Sequence, residues 1–246
     1  NKHLPLMSYS LFISDLHLSV NHAHSSKAFQ HFISTLTSEV EALYILGDLF
    51  EYWAGDDDLD TPFHTEVINA LHGLSTQGIN IYLMHGNRDF LMGEKLAHAA
   101  GATMLDDPVL LDLHGTPTLL SHGDMLCTDD IEYQKFRIMI RSEKFQEKFL
   151  AQPLVERKAY IEQLRQQSIA AKQSKATDMM DVNDEAVAAL LREYDYPRLI
   201  HGHTHRPNRH EHIVDDHLCE RWVLSDWDQE PTALRCDATS CSSITI

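Results

Sequence analysis

Five short apolar runs in this 246-residue chain each stop abruptly in a cluster of histidine, aspartate, asparagine and glycine. Leu11 to Ser14 runs into Asp15 and His17, and residues 42–46 run into Gly47 and Asp48. Ile79 to Met84 ends in HGNRD (85–89), Thr118 to Ser121 in HGD (122–124), and Arg198 to Ile200 in HGHTH (201–205). Short apolar runs bounded by glycine read as buried strands. Helix-period stretches separate the first three. Phe29, Phe32, Ile33 and Leu36 share a face of residues 26–37, and Val67, Ile68, Leu71 and Leu74 a face of residues 65–77. Strand–helix alternation predicts an α/β fold with a largely parallel sheet covered by helices. Ligands of such sheets bind at the carboxyl ends of the strands. All five clusters lie at such ends, so five distant segments are expected to converge on one spot.

The rhythm breaks after residue 128. Phe136, Met139 and Ile140, then Phe145 and Phe149, recur at helical spacing, and a second helix follows Pro153 with Leu154, Ile161 and Leu164. A third helix is expected from Val182 to Tyr194. The predicted organisation is a core of residues 1–128 and 181–246 with a helical insertion over 129–180. Residues 131–175 hold ten basic against five acidic side chains, a local charge of +5 in a chain whose formal net charge is −17. Such overall acidity argues against a nucleic-acid partner. The insertion reads either as an amphipathic cap packed on the core or as an acyl chamber lined by Phe136, Ile140, Phe145, Phe149 and Leu150. No apolar run approaches the roughly 18–20 residues that span a bilayer, and the N-terminal residues do not read as a signal peptide. The four cysteines show no CxxC spacing, so free thiols in a reducing cytoplasm are expected.

Singly, each cluster is weak, because Gly-Asp and Asp-x-His are common in turns. Together, Asp15, His17, Asp48, Asn87, His122, His201 and His203 form a mixed oxygen and nitrogen set. It suits two hard-to-borderline divalent cations rather than a thiolate zinc site. The ordered blocks DLH, GD, GNRD, HGD and GHTH resemble the calcineurin-like metallophosphoesterases. That resemblance implies a metallophosphoesterase β-sandwich flanked by helices, with a helical cap insertion and both metals at the strand ends. It assigns Asp15, His17 and His203 to one metal, Asn87, His122 and His201 to the other, and Asp48 to both.

The general family has histidine where Arg88 stands here. ALYILGDLFEYWAGDDD (42–58), HGNRDFLMG (85–93), HGDMLCTDD (122–130), MDVN (180–183) and IHGHTHRP (200–207) resemble a narrower family, the UDP-2,3-diacylglucosamine pyrophosphohydrolases of lipid A biosynthesis. This implies two Mn²⁺ per chain. Water would attack the α-phosphate of UDP-2,3-diacylglucosamine to give UMP and 2,3-diacylglucosamine 1-phosphate. Asp48, Arg88, His122 and His201 are the implied catalytic residues. Substrate contacts fall on Asn87, Arg88, Asp130, Ser168, Lys172, Lys175 and His201. A monomer attached peripherally to the cytoplasmic face of the inner membrane is expected. Asp124 and His205 are candidates for orienting the ligands, and Asp56, Asp57 and Asp58 for a further cation site or a solvated turn. The competing functions are hydrolysis of another nucleotide pyrophosphate or phosphodiester, and a metal-free scaffold.

Overall fold

The computed structural model describes residues 8–174 (171–174 as backbone only), 180–228 and 230–246. Alternation along the first strand sets the architecture. In β1 (Tyr9–Ile13), Leu11 and Ile13 point to one face and Phe12 to the other, and all three are buried. A strand buried on both faces needs a layer on each side. On one side Leu11 and Ile13, with Leu43 and Ile45 of β2 (Val40–Leu46) and Ile81 and Leu83 of β3 (Asn80–Met84), pack against helices. These are α1 (Ala23–Thr35), α2 (Pro62–Thr76) and α3 (Glu94–Ala100), which contribute Phe29, Phe32, Val67, Leu71 and Leu96. Pro62 opens α2, where its missing N–H costs nothing.

The other face meets a second sheet rather than more helices. Phe12, Tyr44, Leu46 and Met84 pack on Leu113, Leu120 and Ile200, and Phe12, Tyr44 and Tyr82 stack in a row with ring centroids 4.7 Å apart at each step. The first sheet runs β11-β10-β1-β2-β3-β4 and the second β5-β6-β7-β9-β8. The remaining strands are β4 (Ala102–Leu105), β5 (Val109–Leu113), β6 (Thr116–Ser121), β7 (Arg198–His201), β8 (Asn208–Val214), β9 (His217–Val223), β10 (Thr232–Cys236) and β11 (Cys241–Thr245). The outer face of the second sheet is covered by α7 (Asp184–Glu193) through Val187, Leu190 and Leu191. Asn183 caps that helix by accepting from the Ala186 N–H.

Strand–helix alternation alone predicts one largely parallel sheet, but the structure has the β-sandwich that the family resemblance implies. β1 to β4 are parallel, as are β6, β7 and β9, but β5, β8 and β10 pair antiparallel. The free-thiol expectation is corrected as well. Cys236 and Cys241 are register partners at the β10–β11 turn and form a disulfide, while Cys127 and Cys219 are buried and free.

Among the described residues, three α-helices lie between β6 and α7: α4 (Ile131–Arg141), α5 (Glu143–Leu150) and α6 (Leu154–Ser174). They dock on the aspartate run that follows β2. Arg157 is 1% exposed and donates to the Ala54 carbonyl and to Asp57. Lys158 Nζ lies 2.7 Å from Asp58, and Asp56 accepts from Trp53 Nε1 and from the Gly93 and Leu96 N–H groups. Asp57 and Asp58 are therefore docking points for α6, and Asp56 holds the start of α3, so the run is a structural junction rather than a solvated turn.

Candidate metal centre

Each polar cluster sits at the carboxyl end of its strand, where the backbone turns through unusual conformations. Asp15, His17, Asp48, His203 and His205 all have φ between 50° and 70°. Non-glycine residues held there are strained, and such strain collects at functional sites. Close approach explains the neighbouring glycines. A Cβ on Gly86 would lie 2.0 Å from Asp48 Oδ1, and one on Gly202 would lie 2.4 Å from Asp15 Oδ2.

The donor atoms converge. Asp48 Oδ2 lies 3.8 Å from both His17 Nε2 and His122 Nε2. Asp15 Oδ1 lies 3.9 Å from His17 Nε2 and 3.3 Å from His205 Nε2. Asn87 Oδ1 lies 3.0 Å from both His122 Nε2 and His203 Nδ1. Asp15–His17–His205 and Asp15–Asp48–His122 each bring three ligand atoms within 4.8 Å of one another.

Partners on the far side fix which nitrogen faces inward. His122 Nδ1 donates to the Leu46 carbonyl at 2.8 Å, leaving Nε2 for the centre. His17 Nδ1 faces Glu51 Oε2 at 3.1 Å, and His205 Nδ1 faces Asp226 at 3.5 Å. A carboxylate behind an imidazole is how metal-binding histidines are commonly oriented. Asp89 is buried beneath the centre and accepts from the Asp48, Leu49, Phe50 and Gly86 N–H groups, which shapes the loop carrying Asp48.

The field of the site calls for positive charge. Burial alone lowers the His122 pKa, but Asp48, Asp15 and Asp124 outweigh it and push it up to about 9. Burial likewise raises Asp15, yet His205, His122 and His17 hold it well below the usual carboxylate range. Asp15 Oδ1 and His17 Nε2 are buried with no hydrogen-bond partner. Buried lone pairs without donors are costly unless a cation receives them. Two carboxylates, imidazole nitrogens and an amide oxygen are the donors expected for hard-to-borderline divalent ions, so the residues present fit such ions.

One expected ligand lies elsewhere. His201 is still inside β7, fully buried, with Nδ1 donating to the Gly202 carbonyl at 2.8 Å and Nε2 accepting from Arg221 at 3.1 Å. Burial and the Arg221 charge push its pKa down to about 3, so it is neutral with both nitrogens used. The assignment of His201 to the metals and substrate is corrected on this geometry. His203 stands with Asn87 and His122 instead, and His205, read from the sequence only as an orienting candidate, stands with Asp15 and His17.

Asp124 ties α4 to the centre. It is fully buried and accepts from Tyr133 Oη at 2.7 Å and Arg137 Nε at 3.0 Å, and the Tyr133 ring stacks on His203. Neither Glu51 nor Tyr133 was singled out by the sequence reading. Their signal lay only in spacing, Glu51 three residues past Asp48 and Tyr133 on the first turn of α4.

A cavity of about 420 Å³ opens beside Asn87 and Arg88 and extends among Phe136, Phe145, Phe149 and Leu164, with Ser168 on its wall. Ile140 is fully buried and Leu150 is 43% exposed, so neither lines it. Asp130 is buried as the N-cap of α4 and does not border the cavity. The Lys172 side chain and Lys175 lie outside the described residues. Among the described residues, no helix is long and apolar enough to cross a membrane.

The family model of calcineurin-like phosphoesterases matches residues 10–207. A protein of Aromatoleum aromaticum named UDP-2,3-diacylglucosamine hydrolase is 54% identical over 228 residues, 93% of each chain. One of Hahella chejuensis with the same name is 47% identical, again over 93% of each chain. Among solved structures, one described as a novel archaeal phosphodiesterase aligns with a TM-score of 0.46 at 16% identity, covering 97% of this chain and 99% of that one.

Proposed function

Because this chain belongs to the calcineurin-like phosphoesterase family, and its full-length curated relatives are named UDP-2,3-diacylglucosamine hydrolase, we propose that it hydrolyses the pyrophosphate bond of UDP-2,3-diacylglucosamine. The observation that carries this reading is one continuous site. A cluster of buried cation-binding donors at the strand ends shares Asn87 with a large apolar cavity. An apolar cavity adjoining the donors suits a substrate that carries acyl chains.

We assign Asp15, His17, Asp48 and His205 to one divalent ion and Asp48, Asn87, His122 and His203 to the other. Asp48, equidistant from His17 and His122, serves both. The donor set accommodates Mn²⁺, the ion that the family resemblance implies. When bound, two such ions would supply positive charge for the phosphoryl oxygens and would lower the pKa of a water beside them. Arg88 borders the cavity beside Asn87, with its guanidinium 3.6 Å from Glu51 and its N–H donating to Asp48. From there it donates to pyrophosphate oxygens as their charge grows. Phe136, Phe145 and Phe149 receive an acyl chain, and Ser168 on the cavity wall contacts the sugar or phosphate.

Attack at the α-phosphate predicts that hydrolysis in ¹⁸O-water labels UMP and leaves 2,3-diacylglucosamine 1-phosphate unlabelled. Label in the lipid phosphate would place the attack on the other phosphorus. Faster release of UMP from an unacylated UDP-sugar than from the diacylated one would overturn the substrate assignment.

The helices over the site also carry exposed apolar side chains, among them Ile131, Ile138 and Val155 at 63%, 69% and 79%. Lys135, Lys144 and Lys148 are interspersed on the same helices. Apolar groups set among basic ones suit an anionic membrane surface. This supports peripheral attachment at the cytoplasmic face of the inner membrane, where a diacylated substrate resides.

A further inference from the structure

A second cavity of about 220 Å³ lies behind the first, lined by Phe145, Lys148, Phe149, Gln152 and Tyr160. Phe145, Phe149 and Tyr160 border both cavities. Phe145 and Phe149 are four residues apart on α5, so they share a face. Their rings stack at 5.6 Å with an interplanar angle of 11°, and Tyr160 of α6 closes against Phe149 at 5.6 Å. The three rings therefore form a partition between the cavity that begins at Asn87 and the space behind it.

We propose that this aromatic partition sets the longest acyl chain the enzyme accepts with full efficiency. The inference rests on the acyl-binding role given above to the first cavity, and it adds a limit to that role. Phe149 is 5% exposed and packed within the main core cluster. A side chain so embedded does not move aside cheaply, because cores are close-packed. Each methylene that enters the first cavity leaves water and adds about fourfold to kcat/KM. A methylene that reaches the partition displaces an aromatic ring or stays outside. The gain per methylene therefore stops at a definite length. Lys148 and Gln152 border the rear cavity and not the front one, so a chain that passed the rings would meet these two side chains.

The test uses the Mn²⁺-loaded full chain with UDP-diacylglucosamines of increasing acyl length. Wild type is expected to gain in kcat/KM with each added methylene up to a break, then to level off or fall. Tyr160→Ala removes the most exposed ring of the three and joins the cavities. It is expected to move the break to longer chains and to improve the longest substrates by about fourfold per newly accepted methylene. Phe149→Leu, a milder change within the core, is expected to shift the break in the same direction. A break at the wild-type length in both variants would overturn the proposal. So would an equal shift in Phe136→Ala, which borders the front cavity alone. Failure of the underlying reading has a different signature: wild type would turn over the unacylated UDP-sugar as well as any acylated one.

Discussion

His201 and His205 are four residues apart and make opposite contributions. His205 offers Nε2 to Asp15 from an exposed loop with φ of 55°, whereas His201 is locked between Arg221 and the Gly202 carbonyl. His205→Ala is expected to lose one of two Mn²⁺ equivalents in calorimetric titration. His201→Gln keeps an acceptor for Arg221, retains both equivalents, and loses about 1–3 kcal/mol of stability through imperfect pairing. The reverse pattern would restore the assignment that the sequence suggested. Arg88→Ala is expected to bind metal normally and lose roughly 10²–10³ in kcat, as when one transition-state donor is removed. Unchanged turnover in stopped assays would remove Arg88 from the chemistry. The HGHTH spacing could not separate the three histidines, because positions 201, 203 and 205 share one parity. What separates them is where β7 ends, at His201, and the register that brings Arg221 of β9 alongside, twenty residues on in sequence.

Among the elements, the cleft between α2 and the aspartate run carries a titration of its own. His64 is buried against the Phe50 and Trp53 rings, with Nδ1 bonded to the Asp58 carbonyl at 3.0 Å. Burial lowers its pKa below 6.5 despite Asp58. The unfolded chain therefore binds the proton more readily than the folded one. This contribution to stability is complete above about pH 6.5 and declines as pH falls through that value toward the folded pKa, by at most about 1.4 kcal/mol per pH unit. Urea midpoints of wild type and His64→Gln, both in EDTA, are expected to diverge in slope below pH 6.5, the variant being the flatter. Parallel curves would show that His64 titrates alike in both states. The strands, the first helices and the convergence of five strand ends were legible because each has a local period or punctuation. The sandwich was legible only through the family resemblance of the five blocks, not from local pattern. Nothing local distinguishes a strand covered by helices from one covered by another sheet, and β10, β11 and the Cys236–Cys241 pair return from the far end of the chain. The role of Asp57 and Asp58 was hidden for the same reason, since Arg157 and Lys158 lie a hundred residues away.

For the molecule as a whole, an acidic body bears helices with exposed apolar groups and basic residues over one opening. Flotation with vesicles rich in anionic lipid is expected to carry the protein upward at low salt. Ile138→Asp with Val155→Asp should leave it at the bottom while sparing turnover of substrate in detergent. Equal flotation of both proteins would assign those side chains no membrane role. Of these helices, α4 reaches the donor cluster through Tyr133 and Arg137 on Asp124, so the apolar cavity and the proposed cation site are parts of one structure. The claim beneath all of this is that seven side chains from five strand ends hold two cations close together. Titration of metal-free protein with Mn²⁺, followed by electron paramagnetic resonance, tests it most directly. The account predicts two equivalents with a spin-coupled spectrum, and loss of the coupling in Asp48→Ala. A single uncoupled ion in the wild type, or no binding, would contradict it.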